Sequence, residues 1–300
     1  MGANHQEQAG ILRKAMKGLG TDEKAIIHVA ATHNFVDRFL IANSFEGSFG
    51  INLDNELKKE LSGNLEKTLR GAFQDRYVFW AEQIHHAIAG AGTDEKRLIQ
   101  LVLTMSDADY PQVSAAYQKL YNKDMFHEIS GDISNNDWGR LLKAWMKGNN
   151  ASVMAPEAAA DALFKAAKGA GTDEDVFISI MCNMTHENYR AVDAVFLMKY
   201  KKPLRKVIIE EFSMKSEFAF LLVHDYLLNP AHAIASLIHK AVHGAGTDDA
   251  SLVNVTVLFS DYFKGQAIKD AYKIFGDVTK DLKRDLSGKY EDAILALWGL

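Results

Sequence analysis

The tightest constraint on this chain is a five-residue pattern that occurs four times. It reads Gly18-Leu19-Gly20-Thr21-Asp22, Gly90-Ala91-Gly92-Thr93-Asp94, Gly169-Ala170-Gly171-Thr172-Asp173 and Gly244-Ala245-Gly246-Thr247-Asp248. The first glycines lie 72, 79 and 75 residues apart, so the 300 residues divide into four copies of one unit of about 75 residues. The repeats fall at 1–74, 75–149, 150–229 and 230–300. The stretch 148–156, rich in Asn, Ser and Gly, reads as a linker that splits the molecule into two pairs.

Each copy reads as about five short helices, which makes the fold class all-α. In the first, Ala9 to Lys17 forms a helix stopped by Gly18, where glycine supplies the left-handed turn. Thr21 caps a second helix, with Asp22 and Glu23 in the first turn where the helix dipole favours negative charge. A third helix starts near Asn34, a fourth ends near Leu61, and a fifth follows Ser62-Gly63. One apolar stripe recurs in all four copies as Ile26-Ile27, Leu98-Ile99, Phe177-Ile178 and Leu252-Val253. The chain has only four prolines, and Pro156 and Pro230 stand where a first helix begins, the position that tolerates them.

Composition removes several classes of function. A single cysteine, Cys182, excludes a disulfide framework and points to a reducing compartment. Its counterparts Ala31, Leu103 and Val257 mark it as a small buried side chain. Met1 to Gln8 is polar and lacks a signal-peptide core, and the apolar run Phe218 to Leu228 is too short to span a bilayer. The expectation is a soluble, cytoplasmic protein. A formal charge of -5 argues against nucleic acid as a partner and gives no bare attraction to anionic lipid. His127-Glu128 and His186-Glu187 lack the second histidine of a zinc-protease helix, no Gly-Lys-Ser/Thr phosphate loop exists, and no enzyme is expected. The eleven histidines read as surface or packed residues rather than ligands. No Asp-x-Asp-x-Asp-Gly run of an EF-hand is present.

Taken singly, each Gly-x-Gly-Thr-Asp is explained as a helix stop followed by a cap. The second half of the pattern is not. Forty residues after the second glycine stand Glu60, Asp132 and Glu211, and Asp285 lies 39 after Gly246. Each acid precedes a further helix break. With five helices, the second leaves the glycine loop, the third crosses and the fourth returns, so the acid at its tip faces the loop carbonyls. Several carbonyls with one carboxylate make a hard, all-oxygen site of the kind Ca²⁺ prefers.

The paired motif over essentially all 300 residues resembles the annexins. The resemblance implies a curved all-helical disc with Ca²⁺ loops on the convex face. It implies peripheral, reversible binding to acidic phospholipid on the cytosolic face of membranes. The carbonyl ligands it implies are Met16, Gly18 and Gly20 with Glu60, and Ile88, Gly90 and Gly92 with Asp132. In the second half they are Ala167, Gly169 and Gly171 with Glu211, and Val242, Gly244 and Gly246 with Asp285. It further implies weaker ions at Thr21 with Glu23, Thr93 with Glu95, Thr172 with Glu174 and Thr247 with Asp249. Lys17, Leu19 and Lys168 stand beside the loops as membrane contacts. A helical scaffold for cytoskeletal or other protein partners is the alternative reading. The sequence departs from the family where an arginine usually follows the second helix, which argues against the internal ion pairs. After each acid a left-handed residue is wanted. Gly63 and Gly288 suit it, Asn135 tolerates it and Met214 does not. Glu210 competes with Glu211, and the fourth site is one residue short. Site one is therefore expected to be the strongest and site three the most compromised.

Overall fold

The computed structural model describes residues 4–90, 92–148, 154–169, 171–244 and 246–300. Among them are twenty α-helices in four groups of five. Repeat one holds α1 (His5–Ala15), α2 (Glu23–Thr32), α3 (Phe35–Phe49), α4 (Leu53–Glu60) and α5 (Gly63–Phe73). Repeat two holds α6 (Arg76–Ile88), α7 (Glu95–Leu103), α8 (Asp109–Tyr121), α9 (Met125–Asp132) and α10 (Asp137–Lys147). Repeat three holds α11 (Pro156–Ala166), α12 (Glu174–Asn183), α13 (His186–Tyr200), α14 (Leu204–Glu211) and α15 (Met214–Leu228). Repeat four holds α16 (Pro230–Val242), α17 (Asp249–Phe259), α18 (Gln266–Tyr272), α19 (Val278–Asp285) and α20 (Gly288–Trp298). No helix of the described residues is long and apolar enough to cross a membrane.

The repeats pair differently from the division expected at 148–156. One compact unit is Met1–Trp80 with Ile234–Leu300, and the other is Ala81–Ala233. Repeat one thus joins repeat four, and repeat two joins repeat three. The expected linker lies inside the second unit, with residues 149–153 outside the described residues. The physical reason lies in the second and fifth helices. Ser251–Phe259 of α17 and Ala219–Leu227 of α15 are buried without interruption, so these helices need cover on every side. In the first unit α2 packs on α20 and α5 on α17; in the second α7 packs on α15 and α10 on α12. Ala293 and Leu297 of α20 accordingly sit in one core with Ile26, Ile27 and Leu69 of repeat one.

An ion pair is buried in the first unit, although the sequence argued against one. Arg38 is 1% exposed in the first turn of α3. Its guanidinium donates to the carbonyls of Ala72 (2.7 Å), Ala30 (3.2 Å) and His33 (2.6 Å), and forks onto both oxygens of Asp261 at 3.2 and 2.7 Å. It thereby satisfies carbonyls at the ends of α2 and α5 that helix geometry leaves without partners. The arginine comes six residues after the end of α2, and the carboxylate is supplied by repeat four. Arg38→Ala would strip Asp261, 13% exposed, of its partner and leave three carbonyls without their donor, and is expected to lower stability by about 3–5 kcal/mol in urea denaturation.

His224, in α15, is 1% exposed, with its Nδ1 at 2.9 Å from the Tyr189 hydroxyl. Burial pushes its pKa down to about 4. Between the ordinary value of 6.5 and about 4, the unfolded chain therefore binds a proton that the folded chain refuses. Stability must fall as pH drops through that window, at up to about 1.4 kcal/mol per pH unit. His224→Gln is expected to flatten the pH dependence of the urea midpoint between pH 6.5 and 5, relative to the parent.

Candidate metal centre

Each glycine loop is closed by one backbone bond that reaches back into the preceding helix. The N–H of Asp22 donates to Ala15 (2.9 Å), Asp94 to Ala87 (2.7 Å), Asp173 to Ala166 (2.9 Å) and Asp248 to Ala241 (2.8 Å). Closing so short a loop drives its glycines to positive φ: Gly18 stands at 115° and Gly20 at 85°, and the corresponding pairs in the other loops are also positive. A Cβ on Gly18 or Gly20 would meet nothing within 4 Å, so the backbone conformation, not crowding, requires glycine there. Ala91, Ala170 and Ala245, at three of the loop tips, lie outside the described residues.

The residue that caps the second helix is the aspartate, not the threonine. Asp22, Asp94 and Asp248 accept from the N–H groups of Ala25, Arg97 and Ser251 at 3.0–3.1 Å. Asp173 makes no such bond. The threonines are occupied elsewhere. Thr21 donates to Glu60 Oε2 (2.5 Å), Thr93 to Asp132 Oδ2 (2.5 Å), Thr172 to Glu211 Oε2 (2.6 Å) and Thr247 to Asp285 Oδ2 (2.5 Å). In every repeat the structure therefore brings the two halves of the motif together. It also separates Glu211 from its neighbour, because Glu210 pairs with Lys202. The fourth acid reaches its threonine despite the missing residue, since the crossing helix α18 has only seven residues.

The carbonyl oxygens of Met16, Gly18, Gly20, Ile88, Gly90, Gly92, Ala167, Gly169, Gly171, Val242, Gly244 and Gly246 accept no hydrogen bond among the described residues. The second oxygen of each of the four carboxylates is likewise without a donor there. Each loop thus combines backbone oxygens with a carboxylate oxygen, an all-oxygen set that fits a hard divalent cation. The secondary acids are differently placed. Glu95 pairs with Lys215, Glu174 with Arg140 at 3.3 Å, and Glu23 shares an open pocket with Lys289. Burial, and then the charge of Asp249, push the Tyr290 hydroxyl pKa up. Of the membrane-contact candidates, Lys17 and Lys168 are exposed and Leu19 is completely so.

The breaks after the acids follow the expectation in three repeats and depart from it in one. Gly63 (61°), Met214 (50°) and Gly288 (64°) have positive φ and each begins a helix. Asn135 does not, because α10 starts two residues later with Asn136 as its cap, accepting from Gly139 N–H at 3.0 Å. Cys182 is buried, and burial alone pushes its thiol up to about 12. Two of the histidines stand in a cluster: His239, His243 and Asp281 converge, with one ligand atom from each within 4.8 Å of the others. The four-residue spacing of the two histidines was the available signal; the aspartate, nearly forty residues on, had none.

Comparison with known proteins agrees with this geometry. A family model described as Annexin matches residues 7–71, 79–145 and 158–223, and one described as Annexin E1, fourth repeat, matches 234–299. Annexin A5 of Rattus norvegicus is 31% identical over 305 residues, covering 99% of this chain and 95% of that protein. Annexin A7 of Dictyostelium discoideum is 31% identical over 298 residues; the chain spans 64% of the length of that relative. Among solved structures, a variant of annexin A8 superposes with a TM-score of 0.90 at 29% identity, covering 100% of this chain and 96% of that one. Calcium-bound alpha-14 giardin gives 0.91 at 26% identity, covering 98% and 99%.

Met214 is 88% exposed and carries a left-handed backbone that only its fold position explains. Met214→Gly relieves that conformation without removing packing. It is expected to raise stability by about 0.5–1 kcal/mol after glycine's own entropic cost, read as a higher urea midpoint.

Proposed function

The chain belongs to the annexin family, and from that membership we propose that it binds acidic phospholipid surfaces reversibly when Ca²⁺ is present, through its four glycine loops. Annexins typically bind phospholipid in this calcium-dependent way and are not enzymes. The observation that carries the reading for this chain is the threonine-to-carboxylate bond, present in all four repeats, beside carbonyls that no donor among the described residues satisfies.

Met16, Gly18, Gly20 and Glu60 would hold the ion in the first loop, and the corresponding carbonyls with Asp132, Glu211 and Asp285 in the others. Bound there, Ca²⁺ supplies positive charge and coordination positions that a lipid phosphate oxygen can complete. The threonine hydroxyl fixes one carboxylate oxygen, which orients the other toward the loop. One carboxylate per loop makes each site weak in free solution, on the order of 10⁻⁴–10⁻³ M. Several loops on one chain then act together, so that membrane affinity exceeds that of any single loop. A protein of charge -5 needs such a cation to meet an anionic surface. Leu19, exposed at the first loop tip, adds apolar area to that contact. The weaker ions at Glu23, Glu95, Glu174 and Asp249 come second, because Glu95 and Glu174 are already paired with cations.

The first loop is the strongest of the four and the third the most compromised. In the third, Asp173 makes no cap bond and the break after Glu211 rests on a strained Met214. Co-sedimentation with phosphatidylserine vesicles across a calcium titration tests both statements. Glu60→Gln is expected to raise the calcium needed for half-maximal binding by about tenfold, the equivalent of 1.4 kcal/mol at one loop, and Glu211→Gln to raise it far less. Equal losses would overturn the ranking. Binding by the parent chain that ignores calcium would overturn the function.

A further inference from the structure

The positions that flank the loops carry different chemistry in each repeat. Five residues before the first glycine and four before the distal acid, repeat one has Arg13 and Glu56, an ion pair at 3.2 Å. Repeat two has His85 and Glu128, but Lys123 claims that glutamate at 2.6 Å. Repeat three is apolar, with Phe164 stacked on Tyr200 at 3.8 Å and Val207 in the acid's place. Repeat four has His239 and Asp281, and only there does a second histidine, His243, immediately precede the glycine.

The hydrogen bonds around this trio fix where its lone pairs point. Tyr272 donates its hydroxyl proton to Asp281 Oδ2 at 3.0 Å, so Nδ1 of His239, 3.2 Å from that hydroxyl, is the donor in their contact. His239 Nε2 keeps its lone pair. His243 Nδ1 lies 3.2 Å from the His239 carbonyl and must donate to it, which leaves Nε2 as the acceptor. That Nε2 stands 3.7 Å from Asp281 Oδ2, two acceptors facing one another. Between them lies the Arg284 guanidinium, with Nη2 at 3.0 Å from His243 Nε2 and Nη1 at 3.2 Å from Asp281 Oδ1. Its side chain is 55% exposed, so it can withdraw into solvent.

We infer that His239, His243 and Asp281 form a binding site for a divalent cation of the zinc class, separate from the oxygen-lined loops. Two imidazoles and one carboxylate suit zinc and not calcium or magnesium, which take oxygen. A tetrahedral zinc shell sets its ligand atoms roughly 3.4 Å apart. The 3.7 Å between His243 and Asp281 is close to that already, and the trio's limit of 4.8 Å requires only side-chain adjustment. The Tyr272 hydroxyl and the His239 carbonyl orient the imidazoles from behind, as partners of metal-bound histidines do. The occupied site ties the end of α16 to α19, the two elements that hold Val242 and Asp285.

The test is calorimetric titration of Zn²⁺ into the full chain, free of calcium and lipid, with excess Mg²⁺. One zinc ion per chain is expected in the tight phase. His243→Ala, at a partly exposed position that does not threaten folding, should weaken that phase by about 10- to 100-fold, and so should His239→Ala. Arg284→Met should tighten it by removing the competing cation. His85→Ala, the counterpart in repeat two, should leave it unchanged. With Co²⁺ in place of zinc, the visible absorption of a tetrahedral N/O site should appear in the parent and vanish in His243→Ala. Zinc binding that survives both His239→Ala and His243→Ala, or that His85→Ala weakens equally, overturns the assignment. Because no calcium or vesicle is present, these results do not depend on the function of the loops.

Discussion

The hydrogen bond from each loop threonine to a carboxylate some forty residues away is the interaction on which the rest of each repeat depends. It forms only if the second helix leaves the loop, the third crosses and the fourth returns to within 2.5–2.6 Å. Helix lengths must therefore match, and repeat four shows how strictly: a seven-residue crossing helix is accompanied by an acid one position early, and the bond survives. The aspartate that follows the threonine does two jobs at once. Its N–H closes the loop onto the first helix, and in three repeats its side chain caps the second. Two adjacent residues thus secure both ends of the loop, and the glycines between are left with the only conformations that fit.

What surrounds this frame is free to differ. Behind the loop, the residue five before the first glycine joins an ion pair in repeat one, an aromatic stack in repeat three and a histidine cluster in repeat four. In repeats one and four the arrangement joins the end of the first helix to the fourth, while in repeat three Phe164 stacks on Tyr200 of the third helix. Of these three, the last places imidazole nitrogen lone pairs next to a carboxylate. A structural position can therefore acquire ligand chemistry without disturbing the fold that supports it.

Local features of the fold were legible in the residues. Gly18, Asn34 and Gly63 marked helix ends to within a few residues, and the apolar stripe at Ile26-Ile27 placed the second helix. Both halves of the candidate site could be read as well, since the interval from Gly20 to Glu60 recurs in repeats two and three and is one residue shorter in repeat four. The identity of the cap was not. Thr21 and Asp22 are both good capping residues, and only the position of Glu60 shows that the threonine is already engaged. The pairing of repeat one with repeat four was missed for a related reason. Chain order favours neighbours, and the opposing signal was the uninterrupted burial of α15 and α17, helices that one repeat alone cannot cover. Arg38 was passed over because its partner, Asp261, lies in a different repeat.

The donor set explains why the loops tolerate so much variation. Backbone carbonyls supply most of the oxygens, and a carbonyl does not depend on the side chain beside it. Met16, Ile88, Ala167 and Val242 occupy the same position in the proposed donor set with four different side chains. What cannot vary is the positive φ of the glycines and the charge of the distal acid. Repeat three tests the boundary of that tolerance, because Met214 adopts a left-handed conformation where repeats one and four use glycine. The threonine-to-Glu211 bond persists there, at 2.6 Å, while the cap bond of Asp173 is gone. The loop's geometry therefore outlasts the residues that make it inexpensive to form, and strain accumulates in the supporting turn before the oxygen cage itself is lost.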